Sequence, residues 1–390
     1  MKKLNCTHFP SCSGCDLLDL EYEEELKEKW GYMINLFSKF QDVEVLPVLG
    51  SNPHSNYRHK LQLTFAPEQR KGSGIVLGLH TKRRDKILNQ IECKIQDEAL
   101  SETAWALRDW ANDLGLTGYN HFKQRGFLRF LSLRKSYYYN TILIGLVTRD
   151  NSRIYENEIE DLLKKIYSSF KTKSLKEKIS GIIQAVNSEP TNMVLNTQER
   201  YLLYGQEKMK DRISDIEFEV GLDTFVQVNP FQTEKLYEVA SNYFNSSDSV
   251  LELYSGIGAL SLLISRKARF VTGIEINPNS VQSAKRCAER NNRTNVKFLQ
   301  GDAGNLIKLD SLSNHNSCLV DPPRSGLSYK ITRVLSERKF NKLVYISCNP
   351  ETLERDAVNL RREYKLVSIT PVDLFPHTEH IENIAYFESR

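Results

Sequence analysis

From Asp248 onward, short apolar runs alternate with helical patterns, and that alternation constrains the fold more than any other feature of the chain. The runs are Ser249–Tyr254, Phe270–Glu275, Val296–Leu299, Cys318–Val320 and Leu343–Ile346. Each is short, apolar and bounded by turn residues, which predicts buried strands. Strands that alternate with helices predict an α/β layer with a mostly parallel sheet. In such sheets ligands sit at the carboxyl ends of the strands. Here those ends are chemically marked. Tyr254 precedes Ser255-Gly256-Ile257-Gly258, Glu275 ends the second run, and Asp302 follows the third. Asp321 stands before Pro322-Pro323-Arg324, and Cys348 before Asn349-Pro350. One Asp in a turn is ordinary, but acids at three successive strand ends suggest a ligand crevice.

The Gly-x-Gly turn followed by an acid about 20 residues later is a nucleotide-fold arrangement: glycines admit close backbone approach and the acid accepts ribose hydroxyls. The third glycine of the pyrophosphate fingerprint is missing. An adenosine ligand without phosphates therefore fits better than NAD, and S-adenosylmethionine (SAM) is such a ligand.

Cys348 is predicted at a strand end just before a helix capped by Thr352. A partly exposed thiol near a helix N-terminus is biased toward thiolate, so Cys348 reads as a nucleophile against the alternative of a buried structural cysteine.

Three further cysteines crowd the N-terminus as Cys6, Cys12 and Cys15, with Pro10 and Gly14 permitting tight turns. This spacing reads as a metal centre, with zinc and iron–sulfur both open. Cys93 is the next cysteine and can complete a four-thiolate set, whereas His8 would make a Cys3His zinc site. Seven cysteines, an odd number, argue against a secreted disulfide framework and for a cytosolic location.

The chain of 390 residues is long enough for two or three domains. The division expected is 1–42 for the cysteine segment and first helix, 43–215 for a central α+β domain, and 216–390 for the catalytic domain. Glu21 to Phe40 reads as a helix with charges on one side and Leu26, Trp30, Met33, Ile34 and Phe37 on the other. The central region reads as strands at Val43–Leu49, Lys60–Phe65, Ile75–His80, Phe127–Lys135, Thr141–Thr148 and Gly181–Asn187. Helices at Glu98–Leu114 and Ile154–Phe170 are placed to cover one face. Lys171 to Lys178 reads as a linker or helix end. Basic residues mix with aromatics at Tyr57-Arg58-His59-Lys60, His80 to Arg84, Phe122 to Arg125 and Arg134 to Tyr139. A net charge of +4 and a pI of about 8.5 are compatible with nucleic acid, and these clusters read either as an RNA surface, since cations meet phosphates and exposed rings stack on unpaired bases, or as a solvated charged face. No run approaches the ~20 apolar residues of a membrane span, and Met1 to Cys6 has no apolar core for a signal peptide. A monomer is the default.

Taken together, these motifs identify a resemblance. The chain resembles the bacterial RNA uracil-5-methyltransferases through Phe225-Val-Gln227-Val-Asn229, Leu253-Tyr-Ser-Gly-Ile-Gly258, Gly273-Ile-Glu275-Ile-Asn, Asp321-Pro-Pro-Arg324, Tyr345-Ile-Ser-Cys348-Asn-Pro350 and Asp373-Leu-Phe-Pro-His377-Thr-Glu-His380-Ile-Glu382. The resemblance implies a SAM-dependent enzyme forming 5-methyluridine. Cys348 is then the nucleophile and Glu382 the base, and Gln227, Tyr254, Glu275, Asp302 and Asp321 bind SAM. His377 and His380 are then structural or substrate-contacting. Tyr254, Glu252 and Ser255 stand where Phe, Asp and Cys are commoner. The N-terminal cysteines are similar to the 4Fe–4S set of the ribosomal RNA branch, which implies a cluster on Cys6, Cys12, Cys15 and Cys93. The overall likeness is to the short 23S rRNA enzymes of the RlmC type. A tRNA uridine methyltransferase of the same fold, and a catalytically silent RNA-binding protein, are the competing readings.

Overall fold

The structure, a computed structural model, describes residues 3–68, 74–89, 92–152, 154–170, 178–191, 193–195 and 199–390. Of the run read as a linker, only Lys178 falls among them. An N-terminal segment leads into α1 (Tyr22–Phe37) and β1 (Glu44–Val45). Six strands then form one sheet: β2 (Lys60–Pro67), β3 (Ile75–Gly78), β4 (Leu128–Ser136), β5 (Thr141–Thr148), β6 (Lys178–Val186) and β7 (Arg200–Gly205), in the order β3-β2-β4-β5-β6-β7. All pairings are antiparallel except β5 with β6. Between those two runs α3 (Glu156–Ser169), the crossover that parallel neighbours require. It packs with α2 (Glu98–Asp113), so that Leu100, Leu107 and Ile159 share one core with Leu131 and Ile144 of the sheet.

A hairpin, β8 (Met209–Ile213) and β9 (Ile216–Val220), joins this region to the rest. Its apolar side packs with Leu143 and Ile183 on one hand and with Ile257 and Ala284 on the other. Beyond it come α4 (Pro230–Asn242), β10 (Ser249–Leu253), α5 (Ala259–Ile264), β11 (Phe270–Glu275), α6 (Pro278–Arg290), β12 (Val296–Gln300), α7 (Ala303–Leu306), β13 (Ser317–Val320), α8 (Tyr329–Arg338), β14 (Lys342–Ser347), α9 (Pro350–Leu360), β15 (Tyr364–Val372) and β16 (Glu382–Ser389). They make an eight-stranded sheet in the order β1-β15-β16-β14-β13-β10-β11-β12. The five strands expected from the alternation pair in parallel, with every residue of β10 and β13 buried. β16 runs antiparallel to both β14 and β15.

Three expectations change. Val43–Leu49 keeps only two residues of strand, and these extend the large sheet by pairing with β15. The helix after Cys348 starts at Pro350 rather than after Thr352. Asn349 caps it by accepting from the Glu351 and Thr352 amides, and proline suits the first helical position. The buried stripe of α1 is Tyr22, Glu25, Lys29, Met33 and Phe37. Ile34, expected in the core, is exposed. Two charged residues have taken its place inside.

Candidate functional site

The β14–β16 register sets the geometry. Ile346 pairs with Ile384 and Ser347 with Asn383. That is the last pair of the ladder; Cys348 and Glu382 come next along the two strands, near enough for the Glu382 charge to raise the Cys348 thiol, and Glu382 also pairs with Val372 of β15. Asp321 follows β13, the parallel neighbour of β14, and its amide donates to the Leu253 carbonyl. The strand ends thus bring Cys348, Glu382 and Asp321 together. Cys348 opens into a cavity of about 390 Å³ whose walls include Arg324, Asn349, Glu379 and His380, together with Lys29 and Tyr32 from α1. Asp356, fully buried, accepts from the Leu327 amide at 2.7 Å and the Tyr345 hydroxyl at 2.8 Å, which ties the loop between β13 and α8, and β14, to α9.

The electrostatics correct one expectation. Burial pushes the Cys348 thiol up to about 11, helped by the charges of Glu382 and Asp321 and opposed by Arg324. Burial, with the neighbouring acids adding to it, outweighs the helix N-terminus, so the resting group is a thiol rather than a thiolate. Burial also pushes Glu382 up to about 8, with Asp321 adding to it. Asp321 is itself desolvated and sits at about 7. Glu252, deep in β10, accepts from the Ser261 hydroxyl and is raised to about 8 by burial and then by Asp321 and Glu275. Burial thus favours the protonated form of all three acids, and a cation placed beside them would favour the ionised form.

A second group surrounds the glycine turn. Tyr254 adopts φ +66°, Gly256 +54° and Gly258 +80°. A side chain at Gly258 would strike the Phe298 ring at 2.5 Å, so its glycine serves packing. Gly256 faces open space. Its amide donates to Glu275 Oε2 at 3.1 Å, while the Asn277 amide donates to Oε1 at 2.8 Å. The Ser255 hydroxyl is buried with no partner among the described residues. Asp302 is exposed and caps α7 through the Asn305 amide at 3.0 Å. It still lies close enough to help raise the Tyr254 hydroxyl, which burial pushes up to about 12.

Gln227 does not line the Cys348 cavity; it lines a small pocket with Lys60, Arg134 and Asp211. The aromatic–basic clusters also differ from expectation. Tyr57 is buried and donates to the Pro376 carbonyl at 2.9 Å. Arg134 is buried and donates to the carbonyls of Leu222 and Thr224. Tyr138 and Tyr139 bond Glu234 and Glu217. These are joints between the sheets rather than open stacking platforms, whereas Phe122 is almost fully exposed.

Among the described residues, no three ligand-type side chains have closed to metal-binding geometry. The four predicted cysteines nonetheless share one neighbourhood. The Cys15 thiol is raised by burial and then by Cys93, Cys12 and Cys6, with Arg58 opposing. Cys93, likewise raised by burial, feels Cys12 and Cys6 and accepts from the backbone of Ile95 and Gln96. The Gly14 amide points at Cys12 Sγ at 3.4 Å. The His8 carbonyl accepts the Cys12 amide at 2.9 Å, and His8 Nε2 is buried with no hydrogen-bond partner among the described residues.

The family model described as tRNA (uracil-5-)-methyltransferase matches residues 21–390. An uncharacterized RNA methyltransferase of Leptospira interrogans is 38% identical over 385 residues, spanning 98% of both chains. One from Oceanobacillus iheyensis is 35% identical over 384 residues, 96% of this chain and 81% of that one. The crystal structure of the Pyrococcus abyssi tRNA (uracil-54, C5)-methyltransferase in complex with S-adenosyl-L-homocysteine superposes with a TM-score of 0.78, over 97% of this chain and 86% of that chain. Its 24% identity establishes a shared fold.

Proposed function

The chain belongs to the tRNA (uracil-5-)-methyltransferase family, SAM-dependent RNA methyltransferases, and on that premise we propose that it methylates carbon 5 of a uridine in 23S rRNA, with Cys348 as nucleophile and Glu382 as base. The observation that supports the catalytic part is the β14–β16 register: its last pair, Ser347 with Asn383, leaves Cys348 and Glu382 next along the two strands, and Cys348 lines a cavity. Carbon 5 of uracil is a poor nucleophile. Addition of the Cys348 sulfur to carbon 6 moves the ring electrons onto an enolate, and carbon 5 can then take a methyl group. SAM supplies that methyl from a sulfonium. Glu382 next removes the carbon 5 proton, the electrons reform the ring double bond, and the Cys348 sulfur leaves. The target base must leave its stack to reach Cys348.

The glycine turn supports SAM as the donor. Gly256 leaves room, Glu275 retains acceptor capacity, and the orphaned Ser255 hydroxyl gains a partner if a nucleoside occupies the turn. A sulfonium cation beside Asp321, the most weakly raised of the three buried acids, would favour its ionised form. Gln227 is proposed at the donor site on the family motif alone.

We assign the three N-terminal thiols, Cys6, Cys12 and Cys15, together with Cys93, to a 4Fe–4S cluster. They are soft donors in one another's field, with backbone amides directed at sulfur, as such clusters require. The cluster would cross-link the N-terminal segment to the Cys93 loop. Protein purified without oxygen should be brown with broad visible absorbance. Colourless protein carrying stoichiometric zinc would overturn this assignment.

The thiol set favours a ribosomal substrate, whereas the name of the family model favours tRNA. Nucleoside mapping of separated RNA fractions, with and without the gene, decides between them. We expect one 5-methyluridine to vanish from 23S rRNA; its loss from tRNA instead would move the assignment.

A further inference from the structure

The loop that delivers Glu382 is held from outside the catalytic sheet. Residues Asp373–Ile381 join β15 to β16, and Glu382 is the first residue of β16. Asp373 accepts from Lys29 Nζ at 2.8 Å and from the Tyr22 hydroxyl at 2.7 Å. Lys29 also bonds Glu25 at 2.7 Å. Glu25 in turn accepts from the His377 amide at 2.8 Å, and its other oxygen lies 3.3 Å from His377 Nδ1. His54 meets the far ring nitrogen of His377 at 3.2 Å and stacks on Tyr22. The His377 carbonyl accepts the amides of Asp16 and Leu17, the residues that follow Cys15. Glu25, Lys29, Asp373 and His377 are all 3% exposed or less.

Buried ion pairs stabilise weakly for what they cost in desolvation, and their best-attested use is to fix one arrangement. Here the arrangement is unusual. His377 sits at φ +66°, a conformation a non-glycine residue holds only when its surroundings enforce it. Three residues further on, His380 lines the Cys348 cavity, and Glu382 follows at the strand end.

We propose that Glu25 and His377 are positioning residues: α1 holds the β15–β16 loop through them, and so sets Glu382 for removal of the carbon 5 proton. Neither touches substrate in this role. The proposal rests on the reading of Glu382 as base. It differs from plain stabilisation in what it predicts. A displaced base slows only the last step, so the Cys348–uracil adduct should accumulate. A merely less stable protein loses active molecules without accumulating anything.

The test is His377→Ala and Glu25→Gln in the full chain, read by single-turnover methyl transfer, by RNA–protein adduct on denaturing gels, by SAM affinity and by thermal melting. For His377→Ala we expect resolution of the adduct to slow by about a hundredfold, the scale of an ångström-sized misplacement, with SAM affinity unchanged. His377→Asn should recover much of that rate, because asparagine tolerates positive φ and can still donate to Glu25. Glu25→Gln should behave as a milder His377→Ala. If each variant loses rate only in proportion to its unfolded fraction, with no adduct, the positioning role is overturned. Glu382→Gln run alongside separates two failures. Adduct there but not in His377→Ala overturns the positioning role alone; adduct in neither overturns the reading beneath it as well.

Discussion

Cys348→Ala is expected to abolish methyl transfer, by at least about 10,000-fold, the order seen when an enzyme loses its nucleophile. Without sulfur at carbon 6, no enolate forms and carbon 5 cannot take the methyl group. The change removes a half-buried thiol from a strand end, so it leaves little cavity and should not unfold the sheet. SAM affinity should hold, because Tyr254, Ser255, Gly256 and Glu275 lie at the ends of β10 and β11, two and three strands away from β14. The measurement is methyl incorporation into the RNA fraction identified by nucleoside mapping, beside calorimetric SAM binding. Full activity in Cys348→Ala would remove the nucleophile from this position. Lost SAM binding would mean that the alanine variant reports on folding rather than on chemistry. The raised thiol pKa adds a condition: ionising Cys348 needs positive charge in the crevice, and Arg324, which lowers the thiol, is the group at hand.

The parallel strands were legible because each is a short, wholly apolar run closed by a turn residue. Thr141–Thr148 even has the expected bounds. Glu275, Asp321 and Cys348 followed, since a residue at the end of a parallel strand has a defined place. What stayed hidden depended on distant pairing. Nothing local says that Glu382 begins a strand antiparallel to β14, so its approach to Cys348 came only through family likeness. Glu25 and Lys29 are spaced as an exposed i,i+4 ion pair, and their burial becomes visible only when Asp373 and His377 arrive from the other end of the chain. Tyr57 and Arg134 misled for the same reason. An aromatic beside cations looks the same whether it faces RNA or closes a joint between two sheets. Asp302 caps α7, the ordinary role of such a residue, and its charge helps raise the Tyr254 hydroxyl.

Glu382→Gln separates the two halves of the reaction. The variant keeps the size and the hydrogen-bonding end of the side chain but cannot accept a proton. Sulfur addition and methyl transfer should proceed, and the ring, methylated and still carrying its carbon 5 hydrogen, should stay bonded to Cys348. On a denaturing gel the protein should then shift by the mass of its RNA, while turnover falls by roughly 100- to 10,000-fold, the span of general acid–base catalysis. Removing one of the carboxylates that raise the Cys348 thiol should also ease its ionisation, so the adduct should form at least as fast as in the parent protein. The pH dependence gives an independent check. Burial holds Glu382 at about 8, and only its ionised form is a base. In the parent protein the resolution rate should therefore climb about tenfold per pH unit toward 8 and level off above it. In Glu382→Gln that limb should vanish. A Gln variant that turns over normally, with the limb intact, would take the proton acceptor away from residue 382 and leave Asp321 as the carboxylate to test.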